Sequence, residues 1–176
     1  VTPASGSVLS GTVVTVTQTA NAGYTFTGWS GDCTGTGACS VTMDAAKSVT
    51  ANYTQNNYSV VTNVTGNGTV TGAGTTYHWG DSVSVTATPA SGWTLSTVSG
   101  DCSSVPCTLT INGDKTVTVV FTQLSYALTT AASPAVGGTV TPASGLVLSG
   151  TVVTVTQTPS NGYTFTGWSG DCTGTG

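Results

Sequence analysis

An internal repeat is the feature that most constrains this chain of 176 residues. Residues 1–37 align without a gap on residues 140–176, and 33 of those 37 positions are identical. A shift of 69 residues aligns the first 33 residues on a middle segment at lower identity, including a shared Ser-Gly-Asp-Cys run. Self-similarity at a fixed period predicts tandem copies of one small folding unit. We therefore predict three modules in the order A, B, A, at residues 1–54, 55–122 and 123–176.

The first and third modules match different parts of the second. The first has no counterpart of residues 126–139, so it lacks a first strand, and the third has no counterpart of residues 38–54, so it lacks its last strands. We expect the sequence to be a window on a longer array. The alternative is that chains complete each other head to tail by exchanging strands.

Apolar and polar side chains alternate with a period of two along most of the chain. In the second module Val83, Val85 and Ala87 alternate with Ser and Thr, and Val117 and Val119 do the same. This pattern predicts half-buried β-strands, and the abundance of Thr and Val supports it. We predict an all-β chain with about six short strands per module, as tandem small, sandwich-like units. The short segments between modules favour stacking end to end.

The five cysteines indicate the redox compartment. Cys33 and Cys39 flank a short Gly- and Thr-rich loop, and Cys102 and Cys107 lie at the matching place in the second module. A tight hairpin brings such residues within the Cα separation that a disulfide needs, so we predict two local disulfides. Cys172 aligns with Cys33 and is expected to be unpaired because the sequence stops before its partner. Structural disulfides predict an oxidising compartment, extracellular or at the cell surface.

The charge content excludes several classes of function. The chain has two Lys, no Arg, six Asp, no Glu and one His, for a net charge of −4. Two cations cannot form the basic surface that nucleic acids or anionic lipids require, and no apolar run is long enough for membrane insertion. With so few catalytic side chains, we predict no enzyme activity, no catalytic residues, no metal and no cofactor.

Aromatic residues are the candidates for ligand contact. His78 and Trp79 lie side by side in a loop found only in the second module, which makes them the best candidates, although a covered apolar loop is the alternative that we favour. Trp29, Trp93 and Trp168 lie in or beside an aromatic strand. They could stack on a sugar, but packing in a core or between modules is the preferred interpretation.

Three Asp residues precede cysteines. Asp32, Asp101 and Asp171 could contribute oxygen ligands to calcium, but their spacing matches no calcium-binding loop. A role in capping turns is therefore the preferred interpretation.

One run of residues resembles a known family. The stretch from Gly23 to Cys33 reads Gly-Tyr-Thr-Phe-Thr-Gly-Trp-Ser-Gly-Asp-Cys, and it is followed by Cys39-Ser-Val-Thr-Met and Lys47-Ser-Val-Thr-Ala-Asn-Tyr. This pattern resembles the divergent InlB B-repeat family, the Listeria–Bacteroides repeat group. The resemblance implies compact β-rich modules, related to the β-grasp class, in secreted or surface-anchored bacterial proteins. It implies no catalytic residues.

These observations predict a structural repeat segment of a long extracellular or cell-surface bacterial protein, such as a stalk, an adhesin shaft or a filament. Its expected partners are neighbouring modules of the same array, and the same protein head to tail in a filament is a further candidate. The alternatives are a module that binds carbohydrate or another surface, with a glycan as partner, and a spacer attached to a secreted hydrolase.

Overall fold

The computed structural model describes residues 1–175, and their regular structure is almost entirely β-strand. Within this range there are fifteen strands, and the one helical segment is a 3-10 turn at Ala135–Gly137. The predicted all-β fold class is confirmed. Strand-forming Thr and Val, arranged with a period of two, account for it.

Four strands of the first module form two antiparallel pairs. They are β1 (Val13–Val16), β2 (Tyr24–Gly31), β3 (Cys39–Thr42) and β4 (Val49–Gln55). β1 pairs with β3 and β2 pairs with β4, with a bulge between Phe26 and Gly28. Gly28 has a φ of +143°, which favours glycine at this irregular position. Residues from all four strands join one apolar cluster, centred on Trp29 and the Cys33–Cys39 pair.

The second module has seven strands in two sheets. They are β5 (Tyr58–Thr65), β6 (Gly68–Thr71), β7 (Gly74–Tyr77), β8 (Ser82–Pro89), β9 (Trp93–Gly100), β10 (Cys107–Thr110) and β11 (Lys115–Gln123). One sheet has the order β10-β8-β6 and the other the order β7-β5-β11-β9. Val83 and Val85 of β8 and Val117 and Val119 of β11 are buried at alternate positions. Each sheet therefore has one covered face and one face directed to solvent.

This module differs from the sequence-based expectation in the number of its strands. It has seven strands rather than six, because β7, with the sequence Gly-Thr-Thr-Tyr, carries no apolar alternation to reveal it. The dipeptide Asn67-Gly68 is of a type common in two-residue hairpin turns, but here it connects β5 and β6, two strands of different sheets. Turn residues determine where the chain changes direction. Which strand the next segment pairs with depends on contacts between residues farther apart in the sequence.

Four short strands of the third module also form two antiparallel pairs. They are β12 (Ser125–Leu128), β13 (Gly138–Thr141), β14 (Gly145–Leu148) and β15 (Thr156–Pro159). β12 pairs with β14, and β13 pairs with β15. The segment 163–170, which matches β2 in sequence, is not a strand here, although the repeat predicts one.

Contacts divide the chain into two compact units. The first comprises residues 1–63, 70–87 and 97–119, and the second comprises the remainder of the chain. Both units contain strand residues of the second module. The first unit holds the apolar cluster of the first module, and the second unit holds the strands of the third module.

Candidate functional site

A disulfide-closed loop connects β2 and β3 in the first module. The structure joins Cys33 to Cys39 with their Cα atoms 5.8 Å apart, within the range that a disulfide requires. Both residues are buried in the same cluster as Trp29. The Trp29 indole donates a hydrogen bond to the Gly37 carbonyl at 2.9 Å, and its amide donates to the Gly35 carbonyl at 2.8 Å. The disulfide therefore fixes the two ends of the loop, and the two hydrogen bonds from Trp29 hold its middle.

The second module repeats the disulfide, and the third module does not. Cys102 is joined to Cys107 with a Cα separation of 6.3 Å, and Cys102 is buried. Both pairs are the ones that the sequence predicts. Cys172 is exposed and is the free cysteine of the part of the chain that the structure describes.

An aspartate clamps the residues before the last strand of the first module. The Asp32 amide donates to the Ser48 carbonyl at 2.8 Å, and the Ser48 amide donates back to Asp32 Oδ2 at 2.6 Å. Lys47 Nζ lies 3.9 Å from Asp32 Oδ1 and 2.7 Å from Asp44 Oδ1. The bond to Lys47 is the main cause that lowers the pKa of Asp44, and the same bond raises the pKa of Lys47.

The second module builds the same clamp from equivalent residues. The Asp101 amide donates to the Thr116 carbonyl at 2.9 Å, and the Thr116 amide donates to Asp101 Oδ2 at 2.7 Å. Lys115 Nζ lies 3.4 Å from Asp101 Oδ1. The Thr116 amide, with help from Lys115, holds the pKa of Asp101 below its ordinary value of 3.8. In both modules the carboxylate accepts a hydrogen bond from a backbone amide before the last strand, as the turn-capping interpretation expects.

Sequence analysis missed the partner of each of these aspartates. The signal was present, because an Asp-Cys pair is followed by a Lys-Ser or Lys-Thr pair at nearly the same spacing in both modules. The chain has only two Lys, and both lie in these clamps. A second aspartate of the middle module, Asp114, accepts hydrogen bonds from the amide and hydroxyl of Ser59, which lower its pKa.

The predicted contact pair, His78 and Trp79, lies in the loop between β7 and β8. Asp81 Oδ2 accepts a hydrogen bond from the His78 amide at 2.7 Å, and its distance to the imidazole Nδ1 is 3.8 Å. The Trp79 ring is 6.3 Å from the ring of Tyr58, in a tilted arrangement, and Trp79 remains 44% exposed. Tyr58 therefore lies against one part of the Trp79 side chain, and the remainder is exposed to solvent. The loop is only partly covered.

The other tryptophans occupy different environments. Trp29 is 7% exposed, so its ring is not available to stack on a sugar. Trp93 and Trp168 are half-buried. Trp168 keeps the edge-to-face contact with Phe165 that Trp29 makes with Phe26, with ring centroids 5.0 Å apart against 5.1 Å.

Among residues 1–175, no three His, Cys, Asp or Glu side chains come together in a way that could hold a metal ion. In the same range, no helix is long and apolar enough to cross a membrane.

Comparison with known protein families gives a match over nearly the whole chain. The model of the divergent InlB B-repeat domain matches three times in succession, at residues 1–57, 58–125 and 128–175. No curated protein and no solved structure matches the chain.

Proposed function

Since the chain belongs to the divergent InlB B-repeat family, we propose that it is a structural rather than a catalytic segment of an extracellular or cell-surface bacterial protein. In that protein it serves as part of a stalk, an adhesin shaft or a filament. The observation that carries the proposal is the tandem arrangement itself, with three family matches in succession and a disulfide inside each of the first two modules.

Two features of the modules support a location outside the cell. Disulfides form and persist in oxidising compartments. The two lysines, which are the sites that trypsin-like proteases need, are held against aspartates, with side chains only 22% and 16% exposed. A repeat region that remains intact among extracellular proteases would benefit from both.

A stalk must hold its modules in an extended arrangement, which solution scattering can test. A single globule of this length has a radius of gyration of about 16 Å. We expect small-angle X-ray scattering of the 176-residue chain to give a clearly larger value, with a maximum dimension typical of a rod. Measurement over a series of concentrations separates the shape of one chain from head-to-tail association. A concentration-independent value near that of a globule would contradict the proposal.

A second candidate function is carbohydrate binding through Trp79. It is favoured by the 44% exposure of this aromatic side chain beside His78. A glycan array probed with the unmodified chain, with Trp79→Ala and with Tyr163→Ala tests it. Tyr163 is a matched control because it is an aromatic residue of similar exposure, 45%, elsewhere in the chain. A signal that is lost in Trp79→Ala alone would favour binding, and the absence of any signal would leave the structural role as the function.

A further inference from the structure

The first and second modules are in contact at Gly23, a turn glycine of the first module. Gly23 lies in the turn before β2 with a φ of +80°, and Trp79 of the following module lies directly against it. A Cβ placed on Gly23 would overlap the Trp79 Cβ and lie 3.0 Å from its Cγ. The Asn56 amide donates a hydrogen bond to the Gly23 carbonyl at 2.8 Å. All these residues belong to the first compact unit.

The second and third modules are in contact at Gly92, the equivalent turn glycine of the second module. Gly92 lies in the turn before β9 with a φ of +77°, and a Cβ there would overlap the Ser149 hydroxyl. The Leu124 amide donates to the Gly92 carbonyl at 2.8 Å, and the Ser149 amide donates to the Leu124 carbonyl at 2.8 Å. Gln123 Nε2 adds a bond to the Ser149 carbonyl at 2.9 Å. These residues belong to the second compact unit.

The two contacts use the same positions of the repeat. Gly92 is the counterpart of Gly23 at a shift of 69 residues, and Trp79 and Ser149 each stand immediately before a glycine in the loop that precedes the next strand segment. Asn56 and Leu124 each follow a Gln at the end of β4 or β11. The two contacts lie in separate units, and each places a loop side chain against a turn glycine, a Trp in one case and a Ser in the other.

We propose that the turn glycines Gly23 and Gly92 are module-coupling sites. Each receives a loop residue of the following module, Trp79 at Gly23 and Ser149 at Gly92. Glycine is favoured on two grounds. Its backbone has a positive φ at both sites, and a side chain would overlap the incoming residue, at the Trp79 Cβ for Gly23 and at the rotatable Ser149 hydroxyl for Gly92. The proposal deepens the structural role above, since coupled modules are what a stalk needs. The partner of each site is the next module of the same chain.

Gly162 provides a matched control for the first coupling site. It is the counterpart of Gly23 at a shift of 139 residues, it has a φ of +83°, and nothing lies within 4 Å of a Cβ placed on it. Gly162→Ala therefore introduces the backbone strain alone, and Gly23→Ala introduces the same strain together with the overlap with Trp79. The difference between the two variants isolates the contact between modules.

The test is a double-mutant cycle in the full chain, measured by thermal unfolding. Gly162→Ala is expected to lower Tm by about 3 °C from backbone strain, and Gly23→Ala by about twice that or more. Trp79→Gly removes the overlapping Cβ, so Gly23→Ala is expected to cost less in the Trp79→Gly background, whereas Gly162→Ala costs the same in both backgrounds. Equal shifts for the two glycine variants, or strict additivity of Gly23→Ala with Trp79→Gly, would overturn the proposal.

A second measurement keeps the proposal testable if Gly23→Ala fails to fold. In NMR spectra of Trp79→Gly, the amide resonances of Gly23 and Asn56 are expected to shift, while those of Gly92 and Leu124 stay in place. Unchanged Gly23 and Asn56 resonances would contradict the coupling. These tests are independent of the scattering experiment, because coupling can be present in a chain that proves compact and absent in one that proves extended.

Discussion

Residues 13–31 and 152–170 are almost identical in sequence, yet they differ in structure. In the first module this sequence forms β1 and β2, whereas residues 152–155 and 163–170 of the third module form no strand. The difference lies in the available partners. β1 pairs with β3 and β2 with β4, and the third module has no counterpart of β3 or β4 in this sequence. Strand propensity alone therefore does not produce a strand in these modules.

The same comparison shows which features local sequence does determine. The Trp168 amide donates to the Gly174 carbonyl at 2.8 Å, as the Trp29 amide does to Gly35, and the Phe-Trp contact is preserved in both modules. The turn around the tryptophan thus forms in either setting. The local sequence does not determine how deeply the tryptophan is buried, because Trp29 is 7% exposed while Trp168 is only half-buried. Short-range contacts come from the local sequence, and the core comes from the paired strands.

The largest expected difference between the two modules is at their tryptophans. Trp29→Ala removes a buried ring and its hydrogen bond to Gly37, and we expect it to cost about 3–5 kcal/mol of unfolding free energy. Trp168→Ala removes a half-exposed ring, and we expect a cost of about 1 kcal/mol. Urea unfolding followed by far-UV circular dichroism measures both. Equal costs would mean that the third module has a core as complete as that of the first.

The cysteines are expected to give an intermediate difference. Replacing Cys33 and Cys39 together by Ala opens a short loop, which on the chain-entropy model costs about 2 kcal/mol. Cys172→Ala changes an exposed, unpaired residue and should stay within about 0.5 kcal/mol of the unmodified chain. Both are measured by urea unfolding without reductant, and reduction of the unmodified chain serves as a control. A markedly lower free energy of unfolding for Cys172→Ala would show that this cysteine has a partner in solution.

The smallest expected difference concerns acid stability. The pKa of Asp101 is lowered in the folded chain, so its carboxylate stabilises the fold above the unfolded-state pKa, and this stabilisation is lost as the pH falls from about 4 through the folded value. Asp101→Asn should therefore lower stability at pH 7 and have less effect at pH 2. Asp171, the counterpart in the third module, has no equivalent of Thr116 or Lys115 in this sequence, so Asp171→Asn is the control. Thermal unfolding at several pH values compares the two, and identical pH profiles would contradict the clamp.

The comparison also explains what sequence reasoning could and could not predict. The all-β class and both disulfides follow from local patterns, namely alternation and the spacing of Cys33 from Cys39. β7 was missed because its four residues are mostly polar, and its place in the sheet comes from pairing with β5. The Gly23–Trp79 contact joins residues 56 positions apart in different modules, and no local pattern identifies such a pair. The Asp32–Lys47 contact did have a sequence signal, because an Asp and a Lys recur at nearly the same spacing in the second module. This recurrence is seen only when the charged residues of the two modules are compared.

Amide hydrogen exchange resolved by NMR on the unmodified chain tests most directly the claim that partners, rather than local sequence, create the strands. The segment Val-Val-Thr-Val occurs at residues 13–16, paired with β3, and again at residues 152–155, outside any strand. One sample thus holds the same four residues in both settings. We predict slow exchange for the first copy, at the amides bonded to β3, and fast exchange for the second. Equal protection of the two copies would contradict the account.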